Sequence, residues 1–96
     1  MGLFMFGRFR AREGQQAALE AAMLESVAPT RSEPGCLGID IFRSVDDPQL
    51  LWVHSQWTDE ESFEAHIKSP QTMRLIDRIQ AMTTHQVDVA RTYKIT

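Results

Sequence analysis

Leu50 to Trp57 is short, aromatic and apolar in the way a buried strand is, and the pattern predicts a strand there. With a period of two, Leu51, Val53, Ser55 and Trp57 share one face, and Leu50, Trp52, His54 and Gln56 share the other, so both faces call for cover. A helix follows. Thr58 reads as its N-cap with Glu61 completing a capping box, and Asp59, Glu60 and Glu61 suit the positive helix end. Phe63, His66 and Ile67 then stand at i, i+3 and i+4, which puts His66 on the sheet-facing side between two core residues. A second run of period two covers Leu3 to Ala11, with Leu3, Met5, Gly7 and Phe9 on its apolar face. Gly7 leaves a gap in that face of the kind that a backbone or a ligand approaches closely. Arg8, Arg10 and Arg12 alternate on the other side as a solvated or interface-lining stripe.

From Gln15 to about Val27 the period changes to that of a helix, with Leu19, Ala22, Met23 and Val27 as its stripe. Pro29, Pro34 and Gly35 are expected to end it, Glu33-Pro34-Gly35 turning the chain into a strand over Cys36 to Phe42. Leu37, Ile39 and Ile41 would share one face of that strand. Ser44-Val45-Asp46-Asp47-Pro48 is a polar turn short enough to join it to Leu50–Trp57 as an antiparallel hairpin. Further on, Ser69-Pro70 is an N-cap with proline at the first helical position, so the helix breaks and restarts there, carrying Leu75, Ile76, Ile79 and Met82 inward. A last strand is read from His85 to Ile95, where Val87, Val89, Tyr93 and Ile95 alternate with polar residues.

The order is βαββαβ, an α+β chain whose two right-handed crossovers around a central hairpin give a ferredoxin-like antiparallel sheet with the helices on one side. The other side would carry Phe4, Phe6, Phe42, Trp52 and His54. That is too much aromatic surface for a monomer to expose, and two sheets facing each other in a homodimer would cover it. At 96 residues the chain is read as a single domain, 1–96, with a modest core that a second subunit would help.

Composition removes several function classes. The formal net charge of -3, with basic residues scattered, argues against a nucleic-acid partner. No stretch is long and apolar enough for a membrane span, and Met1–Phe6 is too short for a signal peptide before the arginines begin. The single cysteine, Cys36, fits a reducing compartment such as the cytoplasm; following a turn glycine, it reads as a small buried hydrophobe. No Cys or His pair has metal-ligand spacing, and no phosphate loop, nucleophile elbow or dinucleotide fingerprint is present. Metal, nicotinamide and flavin are therefore all left out of the expectation. Among polar residues, His66 beside Phe63 and facing Trp57 is the candidate for a pocket; His54 and His85, on strands, read as structural or interface residues.

The chain resembles the antibiotic biosynthesis monooxygenase (ABM) domains of the dimeric α+β barrel group. The residues that carry the resemblance are Glu33-Pro34-Gly35-Cys36-Leu37, Asp46-Asp47-Pro48, Trp57 with Asp59-Glu60, and Phe63-Glu64-Ala65-His66 with Ser69. The resemblance implies a cofactor-independent monooxygenase in which a small phenol or quinol enters between sheet and helices, loses a proton and itself reduces dioxygen. His66 would take the proton, and the Trp57 N–H would hold an oxygen atom. Met5, Phe9, Ile39, Val53, Phe63 and Leu75 would be the apolar walls, while Gly7 and Ser55 would leave room and one hydroxyl. Two positions depart from the family pattern. Ser55 stands where members often have an acidic residue, and Gly7 where the haem-degrading branch has asparagine. The alternatives are a non-catalytic dimeric module that binds a small ligand, and a haem-degrading monooxygenase with His66 as axial ligand.

Overall fold

In the computed structural model, which covers Met1–Thr96, the elements run β1 (Leu3–Arg10), α1 (Gln16–Glu25), α2 (Val27–Arg31), β2 (Cys36–Arg43), β3 (Leu50–Trp57), α3 (Glu60–Lys68), α4 (Pro70–Met82) and β4 (Asp88–Thr92). The strands form one sheet in the order β2-β3-β1-β4, every neighbouring pair antiparallel. This is the ferredoxin-like α+β arrangement that the alternation and the order of elements predict. The β1–β3 register pairs Leu3 with Trp57, Met5 with Ser55 and Phe9 with Leu51, which keeps the two apolar rows on one side. From that side Leu3, Met5, Phe9, Ile39, Leu51, Val53 and Trp57 close a core with Leu19 and Met23 of α1, Phe63 of α3 and Ile79 of α4. Each fully buried large apolar side chain of this kind contributes about 1.5–3 kcal/mol. On the opposite face Phe6, Phe42 and Trp52 remain 46%, 51% and 40% exposed.

Local chemistry explains where elements differ from the sequence expectation. The cap of α3 is Asp59, not Thr58: Asp59 is extended and its carboxylate accepts the Ser62 backbone N–H at 2.8 Å, while the Thr58 hydroxyl meets the Ser62 hydroxyl. That N–H, with a further bond from Ser62, holds the Asp59 carboxyl below the usual aspartate range. The cap is therefore at full strength above the ordinary aspartate pKa and is lost as pH falls through the lowered value. Pro29 does not end the helical region. The chain breaks at Ser26, whose hydroxyl donates to the Met23 carbonyl, and re-enters a helix with Pro29 in its first turn, where a missing N–H costs nothing.

In β2 the register shifts between Cys36 and Gly38, so Leu37 is the extra residue of a bulge. It leaves the face of Ile39 and Ile41 and is 59% exposed. The last strand is shorter than its alternation suggests. It stops at Thr92, leaving Tyr93 and Ile95 beyond it and exposed. By contrast, the restart at Ser69-Pro70 is as read: Ser69 caps α4 by accepting the Thr72 N–H, with Pro70 at the first position. No helix is long and apolar enough to cross a membrane.

Candidate functional site

His66 stands in the last turn of α3, between the core and the Glu33-Pro34-Gly35 turn. Its ring is 4.8 Å from that of Trp57 and 5.9 Å from that of Phe63, centroid to centroid. Nδ1 lies 2.5 Å from Glu33 Oε2 and 3.4 Å from Thr72 Oγ1. An ionised carboxylate only accepts, so this contact calls for a hydrogen on Nδ1, and a ring that carries one hydrogen then has its lone pair on Nε2. Nε2 has no hydrogen-bond partner and is not fully buried, since the only side-chain polar atom both fully buried and unpartnered is Gln16 Oε1. The break between α3 and α4 helps to set this up. The Ser69 hydroxyl donates to the His66 carbonyl and reaches Thr72 Oγ1 at 3.0 Å, tying both ends of the break to the histidine.

Gly35 is what lets the Glu33 turn come so close. Its φ is +83°, and a Cβ there would lie 2.2 Å from Ser62 Oγ and 2.4 Å from Ser62 Cβ. Its carbonyl accepts the Thr58 N–H at 2.9 Å, which pins the turn to the start of α3. Gly35→Ala is expected to cost on the order of 1–3 kcal/mol from backbone strain alone, and more from the clash. Gly14, with φ +82° and open space around it, separates the two effects. In urea denaturation Gly35→Ala should lose clearly more stability than Gly14→Ala; equal losses would mean that the docking is unimportant.

An apolar cavity of about 90 Å³ lies between sheet and helices. Of the residues singled out from sequence, Met5, Phe9, Ile39, Val53, Phe63, Leu75 and His66 line it together. Trp57, Ser55 and Gly7 do not. Trp57 is completely buried, and its indole N–H donates to Ser55 Oγ at 2.9 Å, so it is not free to hold an oxygen atom as expected. The Ser55 hydroxyl is likewise engaged. The gap at Gly7 is filled from within the chain: a Cβ there would meet the Phe9 ring at 2.8 Å, so the Phe9 ring lies over the glycine.

Several contributors were not visible in the sequence. Ser26, Thr30 and Thr72 give the cavity a polar wall, and Glu33 reaches His66 across 33 positions of chain. Arg91, on the inward side of β4, lies 5.1 Å over the Phe63 ring and pairs with Glu64. The other histidines are placed elsewhere. His54 stacks on Phe6 on the outer face with Nδ1 3.1 Å from the Met5 carbonyl oxygen. His85 accepts the Arg10 N–H at Nε2 and anchors the end of β1. Burial pushes the Cys36 thiol pKa up, away from nucleophile chemistry. No three His, Cys, Asp or Glu side chains converge as a metal site would require.

Comparison with known proteins gives the same picture of the fold. The model of the family described as "Antibiotic biosynthesis monooxygenase" matches residues 3–78. The Mycobacterium tuberculosis protein named "Putative monooxygenase Rv0793" is 26% identical over 85 residues, 88% of this chain and 83% of that protein. Its solved structure superposes with a TM-score of 0.93, covering 100% of this chain and 97% of that one at 23% identity. PA3566 from Pseudomonas aeruginosa gives a TM-score of 0.90 at 27% identity, covering 99% and 95% of the two chains. A crystal structure described as an antibiotic biosynthesis monooxygenase, 22% identical, also gives 0.90 over 98% and 99%.

Proposed function

The chain belongs to the antibiotic biosynthesis monooxygenase family, and from that membership we propose that it oxidises a small phenolic or quinol compound with dioxygen, without metal, flavin or nicotinamide, as a homodimer. The family match supports a monooxygenase-type function. The observation that carries the finer reading is His66, a basic side chain in the wall of an apolar cavity with one ring nitrogen held by a carboxylate and the other unpartnered. In this reading Nε2 takes the substrate's O–H proton, and the apolar walls keep water from the resulting anion while it transfers electrons to dioxygen. Trp57 acts by packing against His66, since its N–H is committed to Ser55.

A cavity of about 90 Å³ is below the roughly 300 Å³ at which small-molecule pockets usually begin, so substrate binding requires the walls to open. A surface groove between the α1–α2 region and α4 shares Ser26, Thr30, Thr72 and Leu75 with the cavity and is the route of access. Aerobic product formation from a panel of naphthoquinols and anthrones, without added metal or flavin, tests the reading. Failure of the whole panel would favour the second reading, a dimeric module with no catalytic role, which the small cavity and its separation from Trp57 support.

Haem is less well matched than a small quinol: the walls of the 90 Å³ cavity would have to open much further, and the Phe9 ring fills the space at Gly7. Titration with haem is expected to give no stoichiometric Soret band; a band that disappears in His66→Ala would put haem chemistry first.

A further inference from the structure

His66 is the one side chain that belongs both to the cavity and to the acidic surface groove formed by Glu33, Pro34, Asp59, Glu61, Ser62, Ala65 and Ser69. The one charged side chain within ion-pair distance of the ring is Glu33, on the groove side. Glu33 Oε2 lies 2.5 Å from Nδ1, the two side chains being 21% and 12% exposed, and no Lys or Arg competes for Glu33. The position of this carboxylate is built in. The Gly35 carbonyl takes the Thr58 N–H, and Gly35 packs against Ser62 with no room for a side chain.

We propose that Glu33 is the positioning residue of His66, holding its Nδ1 hydrogen so that Nε2 is the atom that takes a proton from substrate. The inference rests on the monooxygenase reading. In the proton-transfer step the substrate O–H bond breaks, an Nε2–H bond forms and the electron pair stays on the substrate oxygen. The imidazolium then lies against the Glu33 carboxylate, and the positive charge created in a mostly buried place is matched by a negative one. Without Glu33 the ring is free to place its hydrogen on Nε2, the tautomer that cannot act as base at that atom. Neutral histidine side chains in water favour that tautomer.

Long-range proton–nitrogen NMR of His66 reads the arrangement directly. Wild type is expected to show a protonated Nδ1 and a bare Nε2. Glu33→Gln, whose amide oxygen still accepts, should keep that tautomer but lose the charge, and kcat on an oxidised quinol should fall at least about tenfold with KM little changed. Glu33→Ala should move the hydrogen to Nε2, and Glu33→Asp should recover part of the rate. A wild-type ring protonated at Nε2, an unchanged tautomer in folded Glu33→Ala, or wild-type kcat in Glu33→Gln overturns the assignment. The spectra need no substrate. Absence of turnover in wild type therefore counts against the monooxygenase reading alone, and the tautomer then decides the role of Glu33.

Discussion

Trp52→Glu is expected to convert a homodimer into a monomer. Trp52 stands near the middle of the outer sheet face, paired across the strands with Phe42 and Arg8, and the next row holds Asp40, His54 and Phe6. An aromatic centre of Phe6, Phe42, Trp52 and His54 is thus flanked by Asp40, Arg8 and Asp88, the apolar-core and polar-rim pattern of an interface. In a two-fold assembly each substitution appears twice. An unpaired buried charge costs on the order of 2–5 kcal/mol, so two of them weaken association by about a thousandfold or more. Trp52 packs on the side away from the core, so the monomer should stay folded, with near-native circular dichroism. Sedimentation at micromolar concentration decides it. A wild type that sediments as a monomer, or a Trp52→Glu variant that stays dimeric, removes the sheet-to-sheet arrangement.

Which parts of the molecule the sequence revealed depends on how far the controlling interaction reaches along the chain. The faces of β1 and β3 were legible because successive side chains point to opposite faces with a strict period, and a one-residue slip of β1 would turn Leu3, Met5 and Phe9 all outward. The restart at Ser69-Pro70 was legible for a similarly local reason, since a capping hydroxyl and a first-turn proline act within three residues. The cap of α3 was misplaced by one position because Thr58 and Asp59 both carry a capping oxygen, and backbone angles rather than residue type choose between them. Leu37 left its expected face through a bulge that alternation cannot signal.

The site divides in the same way. The cavity walls follow from strand faces and helix stripes, but the Glu33–His66 contact joins distant segments and depends on the approach allowed by Gly35. The Ser55–Trp57 bond had a usable signal: two residues apart on one strand face, a hydroxyl and a buried indole N–H are natural partners. That signal is what removes the oxygen-holding role from Trp57. Phe9 over Gly7 is likewise an i, i+2 neighbour on the same face, where an aromatic ring can fill the space that glycine leaves.

His66→Ala is expected to lower quinol oxidation by on the order of a hundredfold or more, the usual consequence of losing a positioned general base. The variant also leaves the partly buried Glu33 carboxylate without its partner, a loss of roughly 1–3 kcal/mol of stability, so rates must be compared on protein shown to be folded. Other substitutions separate catalysis from packing. Trp57→Phe removes the N–H that Ser55 accepts but leaves a ring against His66, and its rate should fall less than that of His66→Ala. His54→Ala removes the stack on Phe6 at the outer face and should act on association. His85→Ala deletes the acceptor for the Arg10 N–H and should act on stability. The distinction rests on placement: only His66 combines a wall position in the cavity with a ring nitrogen that no protein group occupies. Full turnover in His66→Ala on a substrate that wild type oxidises would show that the proton leaves by another route. A rate lost equally in His54→Ala at dimer-forming concentration would place the chemistry at the outer sheet face instead.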